Sequence, residues 1–195
     1  MVNWYLVIPF SDTVPNPFIA DSSDLKGFSE WDFMKGGTIE NWNKEAWLKA
    51  EKPVNNGVPD DVLSNLHALL VLSARLQEAL LSTGISGIQL LPVKVFQGSG
   101  EEISGFAIAN ILNVVSALDF RRSEVEFFPE DHFLPQKRGK VRDVGRTVLL
   151  GSALAGFDVI RIPELPPDVY VSERFMDVFK RGGFTGLSFE PVDVS

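Results

Sequence analysis

One segment of this chain is written twice, and that repetition limits its fold more than any other feature. Leu72-Ser73-Ala74-Arg75-Leu76 runs through Leu80 and Gly84-Ile85-Ser86-Gly87-Ile88 to Leu90-Leu91-Pro92-Val93. Val171-Ser172-Glu173-Arg174-Phe175 runs through Phe179 and Gly183-Phe184-Thr185-Gly186-Leu187 to Phe189-Glu190-Pro191-Val192. Ser73 and Ser172 lie 99 positions apart, and so do Pro92 and Pro191. Whatever the first copy folds into, the second is expected to fold into as well.

Each copy reads as helix, stop and strand. Ser73 and Ser172 stand just before an apolar stripe, where a hydroxyl can accept from a free amide of the first turn, so both are expected N-caps. Leu72, Leu76, Ala79 and Leu80, matched by Val171, Phe175, Val178 and Phe179, have the spacing of a short helix with one buried face. Gly84 and Gly183 fall where a helix end needs a left-handed backbone, which lets Ile85 or Phe184 fold back onto Leu80 or Phe179. Beyond Gly87 and Gly186, Ile88 and Leu90 alternate with Gln89, and Leu187 and Phe189 with Ser188, which predicts half-buried strands. Pro92 and Pro191 cannot donate to a ladder, so this end of each strand is expected at an edge, a bulge or an exit. Arg75 and Arg174 occupy the first helical turn, where the helix dipole disfavours a cation. Each is expected to be held by a carboxylate from a neighbouring loop, with Asp61 and Asp119 as the candidates.

Around the two copies, strand signals outnumber helix signals. Trp4 to Ile8, Trp31 to Met34, Val125 to Phe128, Thr147 to Leu150 and Val159 to Ile162 are strand candidates, and Asn110 to Asp119 favours strand over helix by its β-branched residues. Val93 to Phe96 and Ile103 to Ile108 flank Gln97-Gly98-Ser99-Gly100-Glu101-Glu102 as a hairpin with an acidic tip. Ser11 to Lys26 reads as a long loop, the stretch around Trp42 and Trp47 as undecided, and Glu130 to Arg146 as polar and irregular. The sum is an α+β fold in which a mixed or antiparallel sheet carries the twice-occurring helix-glycine-strand unit. Glu51 to Asp61, with Pro53, Asn55-Asn56-Gly57 and Pro59, divides an N-terminal region of strand and loops (1–57) from a main region (58–195) holding both copies, the two packing as one compact domain.

Composition bears on function by exclusion. A net charge of -8 among 195 residues argues against a protein that reads a nucleic-acid backbone and favours a basic protein partner. Zero cysteines remove disulfides, thiolate metal sites and a cysteine nucleophile, and suit a reducing compartment. Met1 to Phe10 lacks a basic stretch followed by a long apolar run, and no apolar stretch approaches about 18 residues, so neither export nor a membrane span is expected and the cytoplasm is the expected location.

No reaction centre stands out. The two histidines, His67 and His132, lie far apart without a second histidine at helical spacing, and read as packing or surface residues. Gly98-Ser99-Gly100 lacks the lysine of a phosphate loop. No catalytic, metal or cofactor-binding residue is therefore assigned. Glu101-Glu102, Glu124 with Glu126, and Glu130-Asp131 read as solvated faces or as a docking surface for a basic protein. Trp42 and Trp47 read as core or as interface anchors. Ser73, Arg75, Gly84, Gly87, Pro92, Ser172, Arg174, Gly183, Gly186 and Pro191 are assigned structural roles.

Taken together, Trp31-Asp32-Phe33-Met34-Lys35-Gly36, the two repeated segments and the Asn110 to Asp119 run resemble a bacterial immunity-protein family of polymorphic toxin systems. The resemblance implies an α+β protein with characteristic tryptophan and phenylalanine residues, encoded beside a toxin that it neutralises by stoichiometric binding. It implies no enzymatic activity and supplies no catalytic residues to carry over. On that reading the partner is a cognate toxin of basic character. Two alternatives remain open, a self-associating structural or regulatory module and a hydrolase working through carboxylates.

Overall fold

Helix α1 (Ala74–Ser82) starts at Ser73, whose hydroxyl accepts from the Leu76 amide, and α2 (Glu173–Arg181) starts at Ser172, whose hydroxyl accepts from the Phe175 amide. Both stop in the same way. Gly84 (φ +72°) donates to the Leu81 carbonyl and Ile85 to the Leu80 carbonyl, while Gly183 (φ +59°) donates to Lys180 and Phe184 to Phe179. This paired bonding satisfies carbonyls that the helix end leaves free, and it needs the positive φ that glycine adopts without steric cost. The computed structural model describes residues 2–9, 19–50 and 59–195. The first part of the expected Ser11–Lys26 loop and most of the 51–61 break lie outside the described residues.

The described chain is mostly strand, arranged in several mixed and antiparallel sheets around the two helices. Strand β6 (Val71–Leu72) leads into α1 and β7 (Ile88–Pro92) leaves it, with β10 (Ala107–Ile111) lying antiparallel between them. Strand β15 (Leu165–Ser172) leads into α2 and β16 (Ser188–Val194) leaves it, with β1 (Trp4–Ile8) lying antiparallel between them. The registers coincide: Ala107 faces both Leu72 and Pro92, as Tyr5 faces both Val171 and Pro191. Beyond β6 lies β5 (Val62–Asn65), and beyond β15 lies β14 (Val159–Ile162), both antiparallel to their neighbours. Parallel additions complete each five-stranded sheet, β2 (Ile19–Ala20) beside β5 and β13 (Val148–Leu149) beside β16. The central strand thus follows the first helical unit but comes from the beginning of the chain in the second.

A four-stranded sheet, β3 (Ser22–Asp24), β4 (Trp47–Lys49), β8 (Lys94–Phe96) and β9 (Glu102–Ile103), covers the sheet containing β10. A two-stranded ribbon, β11 (Glu124–Phe127) and β12 (Val141–Arg146), stands apart. Strand alternation divides the interior into three cores. Leu72, Ala109, Ile111, Val169 and Val171 share the central core with Leu76, Leu80, Phe175 and Phe179 of the helices. Opposite residues of the first sheet, Leu63, Val71, Leu91 and Ile108, meet the four-stranded sheet in a second core. Trp4, Ile160, Ile162 and Tyr170 of the other sheet meet Leu118, Leu149 and Leu154 in a third. Full burial of Leu76 or Phe175 is worth roughly 1.5–3 kcal/mol each, which is why the helix faces are pinned between the sheets.

Several local expectations are corrected. Trp31 to Phe33 lies in a 3-10 turn (Glu30–Phe33), because Ser29 and Asp32 form a reciprocal capping box that outweighs the β preference of Trp31 and Phe33. Strands β2 and β3 fall within the expected polar loop, and β12 within the segment expected to be irregular; both are recruited by pairing rather than by alternation. Chain at 103–108 does not form a single hairpin arm, since β9 pairs with β8 and the chain then crosses to another sheet as β10. Strand β16 continues past Pro191, which is tolerated there because β13 pairs only with Asp193 and Val194. Asp119 does not hold either arginine: its Oδ1 accepts from the Arg121 amide and its Oδ2 lies 3.9 Å from Arg122.

Candidate partner-binding surface

The polar groups at the two helix starts form matched clamps. Asp61 takes Ser73 Oγ at 2.7 Å and Arg75 at 2.5 and 2.6 Å, and also accepts from the Thr185 amide at 3.0 Å. Asp158 takes Ser172 Oγ at 2.7 Å and Arg174 at 2.6 Å. Each arginine then crosses to the other helix. Arg75 donates to the carbonyls of Gly182 and Gly183 at the end of α2, and Arg174 to the carbonyl of Thr83 at the end of α1. A cation unfavourable at its own helix start thereby meets the negative end of the neighbouring helix. Burial opposes ionisation of Asp61, but hydrogen bonds from Arg75, Ser73 and Thr185 outweigh it and hold the carboxyl below its usual range.

A buried cation, unlike the two exposed clamp arginines, ties down β15. Arg161, 1% exposed, donates through Nη1 to the carbonyls of Pro166 and Pro167 at 2.7 Å each. Burial pushes its guanidinium down to about 10, opposed by the charge of Asp168. Burial raises the Asp168 carboxyl, which accepts from Tyr170 Oη at 3.2 Å. Asp168 lines a cavity of about 520 Å³ with Asp143, Glu190 and Asp193, and Arg146 pairs with Asp193 at 2.9 Å. Among the described residues no cluster of three or more histidine, aspartate or glutamate side chains could hold a metal ion.

The residues singled out for partner binding fall into two separate regions. Trp42 packs against Phe28 and Phe33, with ring centroids 5.3 and 5.8 Å away, and donates Nε1 to the Pro92 carbonyl at 2.8 Å. Trp47 lies half-buried in β4, and Glu101 and Glu102 at the exposed β8–β9 turn, all on the four-stranded sheet. Glu124, Glu126, Glu130 and Asp131 lie instead on the ribbon and its connecting loop, beside the third core. His67 is half-buried, with Nε2 2.7 Å from Ser23 Oγ, and His132 packs between Phe128 and Phe133.

Beside the acidic residues that the sequence singles out there, the ribbon carries an apolar surface that the sequence reading did not mark. From Phe120 to Arg146 not one residue is buried. Its base is fastened: the Asp119 amide donates to the Val148 carbonyl, and the Val148 amide to Ser123 Oγ at 3.0 Å. Val125 and Val144 pack against the third core. Outside those anchors stand Phe120 and Phe127, 50% and 53% exposed and stacked with centroids 6.3 Å apart, and Phe133, 79% exposed. The available signal was four phenylalanines between positions 120 and 133, in a stretch whose charges leave no room for a core.

The sequence pattern of the immunity protein family Imm11 matches residues 4–194. The chain belongs to the Imm11 immunity protein family. No curated protein is similar enough to count as a match. Imm11 membership suggests a non-catalytic protein that neutralises a toxin, and it spans both helical units, all three cores and the ribbon. Among the described residues no helix is long and apolar enough to cross a membrane.

Proposed function

We propose that this protein neutralises a cognate toxin of a polymorphic toxin system by forming a stoichiometric complex with it in the cytoplasm. The observation that carries the reading is the family match from residue 4 to residue 194, which takes in the whole architecture rather than one module. The fold suits such a role. Its conspicuous polar constellations, the two aspartate-serine-arginine clamps and the Arg161 anchor, are engaged in joining helices and strands, which leaves the outer surfaces for recognition.

The test is co-expression with the toxin domain encoded beside this gene. Survival of cells that the toxin alone kills, together with a complex of defined stoichiometry in light scattering, is the expected result. Continued killing with no complex at micromolar concentrations would refute the reading.

A further inference from the structure

We propose that the ribbon formed by residues 120–146 is the toxin-docking element, and that it inserts Phe120, Phe127 and Phe133 into an apolar patch on the toxin rimmed by carboxylates. The inference rests on the immunity reading and names the surface and the partner chemistry.

Three independent observations converge on this segment. An isolated two-stranded ribbon is marginal in water, and this one has no buried residue of its own. Its base and inner valines hold it to the third core, so its outer face is not needed for folding. Secondly, seven large hydrophobic side chains are exposed among the described residues, and three of them are phenylalanines on this ribbon, whereas Val2, Trp31, Leu66 and Leu81 belong to other segments. Phe120 and Phe127 also wall a cavity of about 330 Å³, a ready recess for an apolar side chain at an otherwise open face. Rigid aromatic side chains at a protruding surface are the residue type that carries binding energy at interfaces.

The third observation is charge, and it runs against the chain as a whole. Residues 120–146 hold seven lysines and arginines against five carboxylates in a protein of net charge -8. Lys140 lines the same cavity as the phenylalanine stack, and Arg121 follows Phe120; among the described residues neither makes an ion pair. Glu126, on the same strand, lies 3.9 Å from Arg142. The carboxylate that lines the cavity, Glu164, has one oxygen buried away from solvent. An apolar face bordered by uncommitted cations fits a surface that is apolar at its centre and acidic at its rim.

Binding of the toxin domain is measured for the wild-type chain, for Phe120→Ser/Phe127→Ser, for Phe133→Ser, for Arg121→Glu/Lys140→Glu and for Glu78→Lys on the exposed side of α1 as a control. The serine variants are expected to weaken the complex by about ten-fold or more each. The charge-reversal variant should slow association most at low salt, and the control should bind as wild type does. Thermal melting of each variant separates lost contacts from lost folding, and hydrogen exchange across 120–146 should slow in the complex. Wild-type affinity in both phenylalanine variants, with the wild-type complex intact, overturns the docking assignment while leaving the immunity function standing. Absence of any wild-type complex overturns both. A concentration-dependent dimer, or binding of a short single-stranded oligonucleotide, that the phenylalanine variants abolish while toxin affinity is unchanged would assign the face to that other occupant and overturn the proposal.

Discussion

The two helical units share one framework but not one environment. Both begin with a serine cap, an aspartate just ahead of the outer strand and an arginine that reaches the opposite helix, and both end on a left-handed glycine. Asp61, with its side chain 7% exposed, also receives the Thr185 amide, and the Phe184 ring lies 4.5 Å from the Arg75 guanidinium. Asp158 is 16% exposed, the residue matching Phe184 is Ile85, and among the described residues no aromatic ring stacks on Arg174. Arg174 instead borders two clefts of about 650 and 850 Å³. The same local chemistry therefore yields one carboxylate that is nearly closed off and one that is more open, with both arginines about half exposed, because the residues that close off Asp61 come from distant parts of the chain.

The comparison can be broken most forcefully at the matched core positions Leu76 and Phe175. Phe175→Ala should cost about 4 kcal/mol and Leu76→Ala about 3 kcal/mol in urea unfolding, since the larger ring leaves the larger void. Equal losses would mean that the two helices are not pinned independently. Next come the glycines of the exit turns. A Cβ at Gly186 would fall 2.1 Å from the Val62 carbonyl oxygen, which belongs to the backbone, so Gly186→Ala should cost about 3 kcal/mol. At Gly87 it would meet the Asn113 side chain, which can turn aside with loss of its 3.0 Å bond to the Val159 carbonyl, so about 2 kcal/mol is expected.

The clamps themselves should differ in the same sense. Asp61→Ala is expected to cost about 2 kcal/mol and Asp158→Ala about 1 kcal/mol, following their numbers of donors and their exposure. Asp61 also carries a pH signature. Its folded pKa lies below the unfolded value, so its contribution is complete above about pH 4 and is lost as pH falls through the lowered folded pKa. The gap in urea midpoint between wild type and Asp61→Asn should therefore be wide at neutral pH and narrow on acidification, and a constant gap would refute the ionised clamp. The smallest change is Phe184→Leu, which removes the ring over Arg75 and should cost about 0.5–1 kcal/mol beyond the lost burial, measured against Ile85→Leu as the counterpart.

Local features were legible because their causes lie within a few residues. A hydroxyl before an apolar stripe marks a helix start, and a glycine after it marks the stop, whatever surrounds them. The tension at Arg75 and Arg174 was legible too, as was Asp61 as a partner. Asp158 was not, because 14 positions separate it from Ser172 where 12 separate Asp61 from Ser73, which puts the aspartate outside the constant spacing. On the surface, Trp42 reads as core or as an anchor and packs on Phe28 and Phe33, while Phe127 reads as part of a strand at 125–128 and nothing in the local pattern marks Phe120 and Phe133 as exposed. Exposure is a property of what else is nearby, and single-residue chemistry does not contain it.

By itself, then, the sequence determined where the helices begin and end, the apolar faces they bury and the repetition of both, since capping, φ preference and periodicity act over a turn or two. Only the tertiary structure decided that β1, from the other end of the chain, fills the place in the second unit that β10 fills in the first. It also decided that each arginine crosses to the other helix and that one charged segment, tied to the third core through Val125 and Val144, buries no residue of its own. Such pairings depend on which strand edges and apolar faces remain open once local structure has formed, and that choice is made among segments many residues apart.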